Sequence, residues 1–346
     1  MWPFWLMFLI PAWAVLVPRA LPARQARWVW FVVGSLFAAM IGFRHEVGGD
    51  WLNYLVEFSH ASTLTLLEAA ALPDPGHAVV NWLVAQTGEG IYVVNFLYAV
   101  PLMAGTVIFS RRQPNPWLAL LAAVPYMLIV VGMGYSRQSV ALGFALLGLV
   151  ALGDGRVRTF VLWVVCGALF HKSAVLLLPI AALASSRNRL LTGVLVLATT
   201  VLIYYLLLAD SAERMWETYV EQQMQSQGGA IRVAMNAMPA LLLLMFRRRL
   251  LPHPDERKLW MWLAMLALIC IPLVDLASTA VDRIALYLIP LQLLVAARLP
   301  RVASTTGTRT VLVLGIIGYF FAVQYVWLNY ATHARLWVPY QFMPFG

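Results

Sequence analysis

The chain has 346 residues, 62% of them hydrophobic and only 11% charged, with a mean hydropathy of +0.78. Soluble domains carry about a quarter charged residues, so a water-soluble globule is excluded and a polytopic membrane protein is indicated. The net charge of +9 does not mark a nucleic-acid binder, because the basic residues fall in short loops between apolar runs, where they set orientation in a bilayer.

Apolar runs of roughly 16 to 21 residues recur along the whole length, as bilayer-crossing helices require. They lack the alternation of barrel strands. The expectation is an all-α, polytopic helical membrane protein, a single domain over residues 1–346 with about 11–12 membrane-crossing segments. The first run, Trp2 to Val17, has no basic segment ahead of it and contains Pro3 and Pro11, so it reads as a retained span. Arg19, Arg24 and Arg27 follow, which puts that loop in the cytoplasm and the N-terminus outside.

Trp28 to Phe43 then crosses outward and delivers a cluster of a cation, an imidazole, two carboxylates and two aromatics, GFRHEVGGDWLNY (Gly42 to Tyr54). From residue 44 to 90, Glu46, Asp50, Glu57, Glu68, Asp74 and Glu89 stand against the single Arg44, and this segment reads as the longest extracytoplasmic loop. Within it HAVVNWLVA (His77 to Ala85) is apolar but too short to span, so it lies in the interface or packs back on the bundle.

Ile91 to Ser110 returns to Arg111 and Arg112, Trp117 to Met133 goes out, and Arg137 to Leu152 comes back to Arg156 and Arg158. Thr159 to Ser185 has arginines at both ends and His171-Lys172-Ser173 in its middle, which favours two half-spans meeting at that tripeptide over one tilted helix. Leu190 to Ala209 leads to a second extracytoplasmic loop, residues 210–230, with Glu213, Glu217 and Glu221. Ile231 to Phe246, Leu259 to Val274, Arg283 to Ala297 and Val311 to Tyr330 complete the crossings and leave the C-terminus outside. Cys166 and Cys270 lie inside apolar runs without paired or ligand-like spacing and read as small core residues.

On this walk all but seven of the 24 Lys and Arg fall in cytoplasmic loops, the exceptions being Arg44, Arg137, Lys172, Arg214, Arg232, Arg283 and Arg335. A cation at the bilayer centre costs about 2.5–3.5 kcal/mol, so each exception needs compensation. Arg44, Arg137 and Arg283 begin or end spans at the outer edge on three different helices, which suits a phosphate or diphosphate gripped bidentately. The alternative is that they snorkel to headgroups or pair with Asp50, Asp275 and Asp282. Lys172 either joins them or snorkels outward. Arg214 and Arg232 are better explained by pairing with Glu213 or Glu217. Asp50, behind Gly48-Gly49, and His171, in an apolar run, are candidate bases for an acceptor hydroxyl. Their structural alternatives are a helix cap or a salt bridge to Arg44, and a hydrogen-bonded core imidazole. Outer-segment aromatics such as Trp51, Tyr54, Trp82 and Tyr92 fit an interfacial belt. No acidic triad has metal-site spacing, so metal-independent chemistry without a cofactor is expected.

The order of motifs resembles the EpsG family of bacterial membrane proteins, which are Wzy-like O-antigen and exopolysaccharide polymerases. GFRHEVGGDWLNY is similar to that family's G-x-R-x-x-V-G-x-D-x-x-x-Y, and PGHAVVNWL (Pro75 to Leu83), SRQSVA (Ser136 to Ala141), FHKSAVLLLP (Phe170 to Pro179), DRIALY (Asp282 to Tyr287) and VPYQFM (Val338 to Met343) follow in the family's order. His45 and Glu46 occupy positions often aromatic or small there, and Trp51 replaces a frequent Tyr. The resemblance implies a GT-C-like membrane glycosyltransferase of the bacterial inner membrane. It would move a growing glycan from undecaprenyl diphosphate onto a lipid-linked repeat unit at the periplasmic face, with a chain-length regulator as a further partner. It also implies that Arg44, Arg137, Arg283 and Lys172 hold the diphosphate, that Asp50 or His171 activates the acceptor, and that Tyr54, Gln138, Tyr287 and Tyr340 position substrate. A lipid-linked oligosaccharide flippase, and an O-antigen ligase or acyltransferase, are the alternatives. No internal repeat of the kind transporters carry is visible.

Overall fold

The structure is a computed structural model and describes residues 1–17, 21–180, 189–203, 228–276 and 278–343. The chain divides into two compact units, Met1–Phe144 with Val313–Gly346, and Ala145–Leu312.

In the first unit, α1 (Trp2–Leu16) and α2 (Ala23–Gly42) precede α6 (Ile91–Arg111), and α2 packs along α6. The apolar positions of α2 explain the pairing. Trp30, Val33, Phe37 and Ile41 recur at helical spacing and are buried, whereas Trp28, Phe31 and Val32 stay exposed on the other side, as a lipid-facing surface requires. Trp30 stacks on Trp117 with ring centroids 4.1 Å apart.

The connection from α2 to α6 is largely helical. It runs through β1 (Arg44–His45), α3 (Trp51–Ser62), α4 (Leu66–Ala70) and α5 (Pro75–Gln86). A capping box starts α4: Thr65 Oγ1 accepts the Glu68 amide at 3.3 Å, and Glu68 Oε2 accepts the Thr65 amide at 2.7 Å. Pro75 in the first turn starts α5, where its missing N–H costs nothing. The HAVVNWLVA stretch packs back on the bundle, between α3 and α6.

The helix Pro116–Gly134 follows; its second half, Val124–Val131, is wound as a π-helix, and Ser136–Gly153 starts directly after it. Gly105 of α6 faces Gly143 so closely that a Cβ at Gly105 would sit 2.2 Å from the Gly143 carbonyl oxygen. Absent side chains thus let these two backbones touch, a common device in membrane helix packing. The C-terminal segment returns to the start of this unit. β2 (Gln341–Phe342) pairs antiparallel with β1, setting Arg44 opposite Phe342 and His45 opposite Gln341.

In the second unit the helix Val157–Ala168 ends, His171 is extended, and a 3-10 turn spans Lys172–Leu177. The helix is therefore broken at the tripeptide where like charge at both ends predicts a break. Gly229–Leu250 and Pro254–Leu273 form a packed hairpin. Ser278–Leu286 and Pro290–Val302 form a pair bent by 47°, with Tyr287 in the bend. Two amides hold this region together: Asn236 Nδ2 donates to Ala285 O at 2.7 Å, and Gln292 Nε2 to Asn236 Oδ1 at 2.7 Å.

Among the described residues six helices are long and apolar enough to cross a membrane, or seven if the bent pair is one span, and Trp2–Leu16, Val157–Ala168 and Thr192–Leu202 are shorter apolar helices. This is an all-α polytopic membrane protein. Residues 210–227 of the second expected loop, with Glu213, Arg214, Glu217, Tyr219 and Glu221, lie outside the described residues, as do residues 181–188.

Candidate functional site

The polar stretch after α2 folds around one side chain. Arg44 is only 1% exposed, and its guanidinium is held by the chain itself. Nε donates to Val47 O (3.1 Å), Nη1 to Ile41 O (2.6 Å), and Nη2 to Asn95 Oδ1 (3.3 Å) and Ser136 Oγ (2.8 Å). Burial draws its pKa down to about 10, partly offset by the nearby hydroxyls of Tyr54 and Tyr340. Arg44 thus ties the exit of α2 to α6 and to the start of Ser136–Gly153. Tyr340 completes the bracket, its hydroxyl donating to Met40 O at 2.6 Å; burial pushes that hydroxyl's pKa up.

Arg137 sits differently. Its side chain is 32% exposed, with Nη1 2.9 Å from Asp74 Oδ2 and Nη2 3.4 Å from Glu57 Oε1. The guanidinium lies over the Tyr54 ring, 5.9 Å from its centroid, a cation–π placement. Two carboxylates face one guanidinium here. Tyr54 itself is buried, which raises its pKa.

The other Glu57 oxygen, Oε2, lies 2.8 Å from Nε2 of the buried His77, and His77 Nδ1 lies 2.7 Å from the Tyr98 hydroxyl. An ionised carboxylate only accepts, so Nε2 carries a proton and donates to Glu57. Asn81, one helical turn on, donates from Nδ2 to the His77 carbonyl at 2.8 Å. Burial raises the Glu57 pKa, but the His77 hydrogen bond and the charges of Arg137 and His77 outweigh it and leave the carboxyl below its ordinary value.

Glu57, His77 and Asp74 are not among the candidate site residues expected from sequence, yet a signal for the first was present. Asp50, Tyr54 and Glu57 are spaced i, i+4, i+7 on α3 and share one helix face. Asp50 occupies the N-cap position without a side-chain capping bond and is half-buried. Gln138 is buried.

In the second unit His171 Nδ1 lies 2.6 Å from Ser173 Oγ, and Ser173 Oγ donates to the Tyr287 hydroxyl at 3.1 Å. The structure thus brings together His171 and Tyr287 through Ser173. This contact also fixes Ser278–Leu286 against the 3-10 turn that begins at Lys172. Asp282 forms an ion pair with the buried Arg232, while Glu213 and Glu217, the partners expected from sequence for Arg214 and Arg232, lie outside the described residues. Arg283, the next residue, is half-buried, and among the described residues its guanidinium has no ion pair and no hydrogen bond.

A helical bundle with spans of this length, carrying clustered arginine, carboxylate and imidazole groups, defines a multi-pass membrane protein with a polar site built into its helix ends. The chain belongs to the EpsG family, whose sequence profile it matches over residues 27–342. No curated protein and no solved structure matches it.

Proposed function

We propose that the protein is a polysaccharide polymerase: a glycosyltransferase that moves a growing glycan from undecaprenyl diphosphate to a lipid-linked repeat unit at the periplasmic face of a bacterial inner membrane. Family membership supports polysaccharide synthesis as the process. The observation that carries the chemistry is Arg283, a half-buried guanidinium with no partner among the described residues, beside an Asp282 paired with Arg232. A cation left uncompensated at a helix end in an apolar protein is stabilised by an anionic ligand, and a diphosphate leaving group is such a ligand.

Arg283 grips the diphosphate, and Lys172, on the turn packed against the Arg283 helix, joins it. His171, Ser173 and Tyr287 hold those two elements in register. Arg137 faces two carboxylates, so its charge is already compensated; its role is to hold Glu57 and Asp74 in place over Tyr54. Arg44, enclosed by four acceptors, braces the loop that leads to Asp50 and presents no face to a ligand. Asp50, Gln138 and Tyr340 are positioning groups for substrate.

Incubation of the purified protein with lipid-linked repeat units tests this reading. A ladder of longer glycans on the lipid supports a polymerase. Movement across the bilayer without new bonds means a flippase, and transfer to lipid A or another acceptor means a ligase.

A further inference from the structure

From the geometry around α3 we infer that Glu57 is the group that takes the proton from the acceptor sugar's hydroxyl, with His77 as the residue that positions it. This rests on the polymerase reading above. Of the bases suggested by sequence, His171 spends Nδ1 on Ser173 and Asp50 stands at the N-cap of α3.

Three observations single out Glu57. Its side chain is 35% exposed, so a substrate hydroxyl reaches it, while the imidazole behind it is 7% exposed and cannot turn away. Both oxygens are oriented from within, Oε2 by His77 Nε2 at 2.8 Å and Oε1 by Arg137 Nη2 at 3.4 Å, and each keeps a lone pair for a further donor. The support is anchored in turn, since His77 lies against the Tyr98 hydroxyl at 2.7 Å and Asn81 bonds its backbone. A carboxylate fixed by an imidazole, itself fixed by a hydroxyl on a third helix, is the preorganisation that general-base catalysis needs.

The acceptor oxygen forms a bond to the donor's anomeric carbon, the bond from that carbon to the diphosphate oxygen breaks, and its electron pair leaves with undecaprenyl diphosphate. The hydroxyl proton goes to Glu57 and from there to water. A carboxylate held below its ordinary pKa serves, because the hydroxyl becomes acidic only as the new bond forms; the base has to be ionised when the acceptor arrives.

The test compares the full-length wild type with Glu57→Gln and Glu57→Ala in proteoliposomes supplied with lipid-linked repeat units. Glu57→Gln is expected to lower kcat for ladder growth by about 10²–10⁴-fold while the donor KM stays within about threefold. Sodium formate, against sodium chloride at equal ionic strength, is expected to restore growth in Glu57→Ala. Thermal unfolding of each variant checks the fold. Growth by Glu57→Gln within threefold of wild type overturns the inference, and so does a loss of rate accompanied by unfolding, without formate rescue, since that marks a structural strut. A wild type that builds no ladder overturns the polymerase reading and this inference with it.

Discussion

The indole of Trp337 packs against Gly134, so close that a Cβ added at Gly134 would stand 2.3 Å from the ring's Cζ2. Its Nε1 donates to Ile129 O at 3.0 Å in the π-wound stretch. Around this anchor the C-terminal tail reaches back: Gly48 N donates to Leu336 O (2.8 Å) and Met343 N to Phe43 O (2.9 Å). The tail therefore holds the Arg44 loop from outside while Arg44 holds it from inside.

Trp337→Ala should destabilise the protein by about 3–5 kcal/mol, the usual cost of deleting a buried indole. Gly134→Ala should also destabilise, because the clash is with a rigid ring. The check is thermal unfolding in detergent, where both variants should melt well below wild type. Melting within one degree of wild type for both would show that the tail is not a clamp.

Gly48 tests the same loop from the backbone. Its φ of +110° is one that residues with a Cβ rarely adopt, and an added Cβ would lie 2.2 Å from Met133 O. Gly48→Ala should reduce folded yield more than Gly88→Ala, since Gly88 has a positive φ of +77° with open space around it. Fluorescence-detected size exclusion of the two variants makes the comparison; equal monodisperse yields would contradict it.

Arg44 and Arg283 should separate cleanly. Arg44→Ala takes its donor from four buried acceptors, of which Asn95 Oδ1 keeps the Ser136 hydroxyl at 3.4 Å; each acceptor left unpaired costs about 1–3 kcal/mol, so the defect should appear as instability. Arg283→Ala removes a side chain that makes no hydrogen bond or ion pair among the described residues, so stability should change by less than about 0.5 kcal/mol while transfer falls by about 10²–10³-fold. Paired melting curves and ladder rates decide this. The opposite pattern, with Arg283→Ala unfolded and Arg44→Ala stable but inactive, would reverse the two roles.

The expected segments were readable because apolar run length and flanking arginines carry them directly. Trp28 to Phe43 became Ala23–Gly42, Trp117 to Met133 became Pro116–Gly134, and the break at His171 followed from like charge at both ends. The fate of Arg44 was not readable. Nothing local distinguishes a guanidinium turned toward a ligand from one turned toward Asn95 and Ser136, which lie 51 and 92 residues away in sequence. Nor did any pattern announce a two-residue ribbon between the first polar loop and the tail, since a pairing so short has no periodicity. Glu57 was within reach through its spacing from Asp50. His77 was not, because a histidine in HAVVNWLVA looks like any core imidazole until Glu57 and Tyr98 are seen beside it.

The depressed Glu57 carboxyl gives a pH prediction with a fixed sign. Its folded pKa lies below the unfolded value, so the stability it contributes is present at neutral pH and is lost as pH falls through the folded value. Wild type should melt above Glu57→Gln at pH 7, and the two curves should converge below about pH 4, near the ordinary glutamate pKa. Melting temperature against pH for both proteins is the measurement. A gap that widens toward acid would contradict the assignment.

The most direct test of the whole account follows products of the purified protein with lipid-linked repeat units as sole glycan substrate, counting both glycan length on the lipid and free undecaprenyl diphosphate. The account predicts glycans that lengthen by whole repeat units, with one undecaprenyl diphosphate released per unit added and both signals lost in Arg283→Ala. Repeat units that cross the bilayer unchanged, or diphosphate released without any lengthening, would contradict it.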